Sequence, residues 1–330
     1  VTAPHLPGID AVVPFTVPLV ARFRGVTERH GLLLRGAHGW AEWSPFDGYD
    51  DRVAGVWLDA ALDVACTPPH GSRRPRVPVN VTVPAVGPDA ARALVAAAGC
   101  TTAKVKVAEP GQTLADDVAR VAAVRAELGP DGAIRVDANG AWSVDVAVDA
   151  LRDLEAAAAG LEYAEQPCRT LAALATVRER TGVRIAADEA IRLDRPDPTL
   201  VRDAVDVAVI KVQPSGGVTA ALELAGRLGL PVVVSSALET SVGLAAGLRL
   251  AAALPDLPFA CGLATGLLLG DDVVEGPIRP QGGALAVSDA DDLAVRDALA
   301  SPPTGLVTHL LARLERAAAF GRAVRRGRDG

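Results

Sequence analysis

At 330 residues the chain is long enough for a barrel-sized core, and half of it is apolar, so it is globular rather than disordered. A net charge of −7 argues against nucleic acid or an anionic membrane as the main partner and leaves a small anionic substrate open if a local cation offsets the field. No apolar stretch of about twenty residues is free of charges or breakers, so no membrane-spanning helix is expected. The scattered Cys66, Cys100, Cys168 and Cys261 form no Cys-x-x-Cys pair, which points to reduced thiols in a cytoplasmic setting.

The first 76 residues differ in texture from the rest. Alternating apolar segments at Ala11–Val20, Gly31–Arg35 and Trp40–Trp43 predict a small antiparallel meander, and Asp51–Cys66 reads as an amphipathic helix. The Pro-rich run Thr67–Pro75 reads as a linker. Trp40, Trp43, Phe46 and Tyr49 crowd one short stretch. They either pack the core of this small unit or line a lid over an apolar or ring-shaped substrate.

From Val77 onward a regular beat sets in. Strand candidates recur at Val77–Pro84, Thr102–Ala108, Ala133–Asn139, Leu161–Pro167, Arg184–Ala190, Val207–Val212, Pro231–Ser236 and Phe259–Ala264. Helical segments fall between them at 88–98, 113–127, 143–157, 170–181, 197–204, 217–227 and 240–253. Eight strands alternating with helices imply right-handed parallel crossovers and close most economically into a (β/α) barrel. A doubly wound open sheet predicts a Gly-rich phosphate loop after an early strand, and Val83-Pro-Ala-Val-Gly-Pro88 is not one. The tail from about Asp271 is irregular, then helical from about Leu306 into the Arg-rich stretch Arg322–Arg328, which reads as a solvated terminus. The expected organisation is a capping unit at 1–76, a barrel at 77–270 and a segment at 271–330 that packs back on the cap.

Lys104, Lys106 and Lys211 are the only lysines, against thirty arginines. Arginine cannot be deprotonated in a protein, whereas a lysine can be pushed into a range where it exchanges protons. A barrel's active site lies at the C-terminal ends of its strands. Five consecutive strands carry charge there: Lys104 and Lys106 on the second, Asp137 on the third, Glu165 on the fourth, Asp188 on the fifth and Lys211 on the sixth. In Ala133–Asn139 the polar Arg135, Asp137 and Asn139 share one face by period two, and in strand two Lys104 and Lys106 oppose Ala103, Val105 and Val107. The apolar set packs on the outer helices, so the polar set points inward. Three carboxylates on neighbouring strands repel unless a cation sits among them, and all-oxygen ligation suits Mg²⁺. His5, His30, His38, His70 and His309 all fall outside the barrel stretch, so its acid–base work falls to lysine or carboxylate. Strands two and six are opposed in a ring of eight, which sets Lys106 and Lys211 on opposite faces of a bound ligand. That arrangement suits removal of a proton from a carbon next to a carboxylate.

At this point the residues resemble a known family. Lys104-x-Lys106, Asp137-Ala-Asn139, Glu165-Gln-Pro167, Asp188-Glu189 and Lys211 are similar to the enolase superfamily, muconate-cycloisomerase-like branch. The runs Thr102–Gln112, Arg135–Gly140 and Val233–Ala237 resemble its actinobacterial o-succinylbenzoate synthases of menaquinone biosynthesis. The similarity runs from about Arg22-Phe-Arg-Gly25 to Leu263-Ala-Thr-Gly266 and is weakest at both termini. The resemblance implies an α/β fold: a (β/α)7β barrel under an α+β N-terminal capping domain completed by the C-terminal segment. It implies a hydro-lyase that dehydrates 2-succinyl-6-hydroxy-2,4-cyclohexadiene-1-carboxylate to o-succinylbenzoate. Asp137, Glu165 and Asp188 would hold Mg²⁺, with Mn²⁺ as a substitute. Lys106 would take the α-proton and return it to the departing hydroxyl on the same face, while Lys211 stays protonated and stabilises the enediolate. Lys104, Asn139 and Glu189 would orient these groups. Ser235 and Ser236 either hold the succinyl carboxylate or cap the helix at 240–253; Arg22 and Arg24 either touch substrate or brace the cap.

Two opposed lysines also suit a racemase. A dipeptide epimerase of this branch is expected to carry an acidic pair after strand eight, and Phe259–Gly266 has none. An N-succinylamino acid racemase stays open, because its substrate is also succinylated, and muconate cycloisomerisation fits the local runs less well. A catalytically silent barrel has little reason to keep three carboxylates and two opposed lysines at its strand ends. The partner expected is a small anionic substrate, with no nucleic acid, no membrane and no obligate protein partner.

Overall fold

The computed structural model describes residues 4–23, 25–287, 293–297, 299 and 302–328, with side chains to residue 320. Arg24 and the side chains of Arg322–Arg328 lie outside the described residues. Strands β1 (Ile9–Phe23), β2 (Val26–Gly36) and β3 (Gly39–Trp43) form an antiparallel meander in that order. Pro14 and Pro18 are tolerated inside β1 because it is an edge strand, where a missing N–H costs least. Helix α1 (Asp51–Cys66) starts where the Asp50 carboxylate accepts from the Val53 N–H, and its apolar face lies on the meander. The aromatic stretch divides: Trp43 is fully buried, with Nε1 donating to the Ala54 carbonyl at 3.0 Å, whereas Phe46 and Tyr49 turn toward Trp57 and the mouth of the barrel.

Strand β4 (Arg76–Pro78) leads into the barrel strands β5 (Val81–Val83), β6 (Thr102–Lys106), β7 (Ala133–Asp137), β8 (Tyr163–Glu165), β9 (Ile185–Ala187), β10 (Val207–Ile210) and β11 (Val232–Val234). All seven from β5 to β11 pair in parallel and in chain order. The crossover helices are α2 (Pro88–Ala98), α3 (Leu114–Leu128), α4 (Val144–Ala158), α5 (Leu171–Thr181), α7 (Pro198–Ala204), α9 (Val218–Leu228) and α10 (Ser241–Ala253). Two single-turn helices, α6 (Glu189–Arg192) and α8 (Val212–Ser215), begin directly after strands β9 and β10. The sequence pattern runs the fifth and sixth strands on to Ala190 and Val212, where the chain instead turns into these short helices.

Two expected strands differ. Val77–Pro84 is two pieces, since β4 leaves the barrel to pair antiparallel with β12 (Ala284–Ala286) before β5 begins. Phe259–Ala264 is no continuous strand: Cys261 bridges Val79 and Gly262 bridges Ser235, both in parallel, and a 3₁₀ turn follows at Ala264–Leu268. Those two residues still close the ring between β11 and β5, through Cys261 N–H to Pro78 O at 2.7 Å and Gly262 N–H to Val234 O at 2.8 Å. Glycine is required at 262 because a Cβ there would stand 2.6 Å from Ser235 Oγ. The outward faces of the strands pack on the helices in one large apolar cluster, while Tyr163, Ala186, Val207, Val209 and Val233 form a separate cluster that fills the barrel beneath its mouth. Helix α11 (Thr304–Arg328) returns to lie on α1, where the Arg313 guanidinium donates to the Pro45, Phe46 and Tyr49 carbonyls at 3.0, 2.7 and 2.8 Å.

Candidate active site

Register sets the site. Lys106 lies opposite Asp137, and Asp137 opposite Glu165, so three adjacent strands end on charge at one level. Asp188 follows β9 and Lys211 follows β10, each one residue past its strand. All five, and Lys104, are buried to within a tenth of full exposure. Strands β6 and β10 are four apart in the ring, so Lys106 and Lys211 enter the mouth from opposite sides. Asn139 lies two residues past the end of β7, yet its side chain reaches the mouth, the side that period two predicted. Its φ of +49° turns it back, so that its side chain lies between Lys106 Nζ, 2.9 Å from Oδ1, and Glu189 Oε1, 3.2 Å from Nδ2.

Each carboxylate is drawn onto a cation. Lys106 Nζ donates to Asp137 Oδ2, Lys104 Nζ lies 3.1 Å from both Glu165 oxygens and 3.3 Å from Asp137, and Lys211 Nζ donates to Asp188 Oδ2 at 2.6 Å. Burial works against a charged Lys104, but Glu165 and Asp137 outweigh it and drive the ammonium pKa above the ordinary lysine value. Lys104 is thus a fixed cation and unsuited to be the base. Burial, then the Asp137 charge, pushes the Glu165 carboxyl up. Asp188 goes the other way, because Lys211 and Arg192 overcome its burial.

Four functional neighbours were missed by sequence reasoning. Arg192, at i+4 from Asp188, donates to its Oδ1 at 3.0 Å, to Glu189 at 2.9 Å and to the Tyr49 hydroxyl at 3.0 Å, joining the cap to the strand ends. Gln166 accepts from the Asp188 and Ala190 N–H groups at 2.9 and 3.2 Å and so fixes the turn that carries Asp188. Thr82, opposite Lys104 in register, and His30, from the cap, also line the cavity. An i, i+4 Asp–Arg spacing was readable for Arg192; the others become visible only in three dimensions.

The mouth opens into a cavity of about 500 Å³ walled by Phe23, Arg29, Phe46, Tyr49 and Trp57 from the cap and by Ser235–Leu238 from the barrel. Ser236 Oγ engages Thr265 Oγ1 at 2.5 Å and the Leu238 N–H at 3.2 Å, and Ser235 Oγ reaches the Gly262 carbonyl at 3.5 Å. Neither serine caps α10. That role falls to Glu42 of the cap, whose Oε2 accepts from Thr240 N–H at 2.9 Å, Thr240 Oγ1 at 2.6 Å and Gly243 N–H at 3.3 Å. Arg29 completes the joint, donating to the Leu238 carbonyl at 3.2 Å and stacking on Phe46. Arg22 has its guanidinium beside Gly25, which lines the cavity: a Cβ on Gly25 would stand 3.9 Å from Nη2.

Burial and the nearby Glu239 carboxylate push Glu42 up to about 7 from an ordinary 4.5. A carboxyl raised on folding contributes stability that is full below its unfolded pKa and is lost as pH rises through the folded one. Wild-type stability is therefore expected to fall between about pH 4.5 and 7 relative to Glu42→Gln, which has no charge to bury, by up to roughly 3 kcal/mol. Denaturant midpoints across that range check it, and parallel profiles for the two proteins contradict it.

Lysines facing carboxylates at the mouth of a capped barrel define an enolase-type enzyme. Residues 88–294 match the family described as Enolase C-terminal domain-like, and residues 14–65 match Enolase N-terminal domain-like. In fold the chain is similar to the muconate lactonizing enzyme from Pseudomonas fluorescens, with a TM-score of 0.73 and 20% identity over 89% of this chain and 98% of that one. In sequence it is 58% identical to o-succinylbenzoate synthase of Thermobifida fusca over 84% of this chain and 87% of the relative. It is 49% identical to that of Mycobacterium tuberculosis over 91% and 93%. The chain belongs to the o-succinylbenzoate synthase family of the enolase superfamily, and is a hydro-lyase.

Proposed function

We propose that this protein dehydrates 2-succinyl-6-hydroxy-2,4-cyclohexadiene-1-carboxylate to o-succinylbenzoate, for menaquinone synthesis in the cytoplasm, with Mg²⁺ as cofactor and Mn²⁺ as its substitute. The observation that carries the reading is the division of the lysines: one opposite Asp137 at the end of β6 and one anchored by Asp188 across the ring. As a neutral amine, Lys106 takes the proton from the ring carbon that bears the carboxylate. The C–O bond on the same face then breaks, Lys106 returns the proton to the departing hydroxyl, and water leaves as the ring becomes aromatic. Lys211, held as an ammonium by Asp188, remains a fixed positive charge on the other face. Asn139 accepts from Lys106 Nζ at 2.9 Å, and Lys104 shares Asp137 with it. Ser235, Ser236 and Thr265 line the wall that faces the succinyl arm. The four free thiols suit a reducing compartment.

Members of the superfamily depend on divalent metal. Among the described residues no three carboxylate, histidine or cysteine groups stand close enough to hold an ion. The donor chemistry nevertheless fits. Asp137, Glu165, Asp188 and Glu189 are balanced by Lys104, Lys106, Lys211 and Arg192. A dicarboxylate substrate then adds two negative charges that a divalent cation offsets. Asp137, Glu165 and Asp188 would hold it, and when bound it supplies positive charge to the substrate carboxylate as the α-proton leaves. Chelator is therefore expected to abolish turnover, with recovery on adding Mg²⁺. Undiminished turnover of metal-stripped protein, verified by elemental analysis, contradicts the metal assignment.

The second reading, N-succinylamino acid racemisation, is favoured by the same opposed lysines, and needs Lys211 to shed its proton.

A further inference from the structure

Behind β6, outside the barrel mouth, lies a buried ion pair that the chemistry above does not use. Arg120 and Asp117, three apart on α3, are almost wholly inaccessible. Arg120 Nη1 donates to Asp117 Oδ1 at 2.7 Å and to the carbonyl of Lys106 at 2.8 Å. Its Nε donates to the Val86 carbonyl at 2.7 Å, and Nη2 to Gln112 Oε1, while Gln112 Nε2 donates to the Ala85 carbonyl at 2.8 Å. Asp117 Oδ2 accepts from the Ala108 N–H at 2.8 Å, and Ala108 holds a φ of +60° that a residue with a Cβ seldom adopts. The pair therefore grips the chain on either side of Val107, the first residue past β6, and ties it to the loop that leaves β5.

We infer that Arg120 and Asp117 are positioning residues for Lys106, fixing the backbone from which its amine reaches the substrate. The inference rests on the reading of Lys106 as the proton carrier. Stability alone is a poor reason for the pair, because a buried ion pair usually contributes little net stability over a well-packed apolar replacement. Placement is a better one. A lysine hangs on four rotatable bonds, Asp137 and Asn139 hold only its tip, and a displacement of about 1 Å at a reacting group costs on the order of 10²-fold in rate. Only a planar fork donates to the Lys106 and Val86 carbonyls and to Asp117 at once; an ammonium keeps the charge and loses the fork.

The test compares Arg120→Met, Arg120→Lys and Asp117→Asn in the full-length, Mg²⁺-loaded protein, using dehydration substrate with hydrogen or deuterium on the α-carbon. Arg120→Met is expected to lower kcat by about 10- to 100-fold with KM little changed, and to raise the deuterium isotope effect on kcat as proton removal becomes slower relative to the other steps. Arg120→Lys and Asp117→Asn are expected to fall between it and wild type. They carry the test on the same readouts should Arg120→Met fail to fold. If the folded variants lose thermal stability but keep wild-type kcat and isotope effect, the pair is structural only and the inference is overturned. That outcome is separate from failure of the underlying reading, which shows as activity in Lys106→Ala whatever the Arg120 variants do.

Discussion

Lys106→Ala is expected to retain the fold and lose about 10²- to 10⁴-fold in kcat for dehydration, the range typical of removing a general base. No neighbour can stand in for it. Lys104 is locked as a cation between Glu165 and Asp137, and Lys211 enters from the far side of the ring on Asp188. The fold should tolerate the change, because β6 keeps its ladder to β7 and Asp137 keeps Lys104 at 3.3 Å as a counter-charge. Lys106→Arg is expected to be nearly as inactive, since a guanidinium fills the place with a cation that cannot take a proton. Steady-state rates beside thermal midpoints check this. Near wild-type kcat in folded Lys106→Ala would place the base elsewhere.

Much of this architecture was legible because barrel strands are covered on both sides. In Ala103–Val107 the apolar residues must face the helices, which leaves Lys104 and Lys106 pointing inward. The same logic located Asp137 and Glu165. Its reach ends where the chain leaves the ladder and turns. Asn139 and Gln166 adopt positive φ values of 49° and 43°, and period two has nothing to say about a chain that has turned. Strand eight was overread because Phe259–Ala264 is apolar enough for a strand, whereas two bridges at Cys261 and Gly262 suffice to close the ring. The contacts of Glu42 and Arg29 across the cap and barrel were hidden for a different reason. Their partners, Thr240 and Leu238, lie about two hundred positions away, and no local pattern pairs a strand of one unit with the helix end of another. Arg120 shows the converse, a charge on α3 whose burial against the β6 carbonyl no amphipathic pattern foretells.

The largest remaining contrast is between the two chemistries that opposed lysines allow. Dehydration asks one lysine to carry a proton both ways and the other to stay charged. Racemisation asks both to exchange protons. Both lysines face a carboxylate, Lys106 Asp137 and Lys211 Asp188, and in the dehydration reading Lys211 is asked only to supply positive charge from the far side of the ring. Lys211→Arg, which preserves a cation, should accordingly keep more dehydration activity than Lys211→Ala. The most direct measurement is kcat/KM of one purified preparation on both the cyclohexadiene dehydration substrate and an N-succinylamino acid, in the presence of Mg²⁺. The result expected is dehydration faster than racemisation by roughly tenfold or more. Racemisation equal to or faster than dehydration would contradict the assignment.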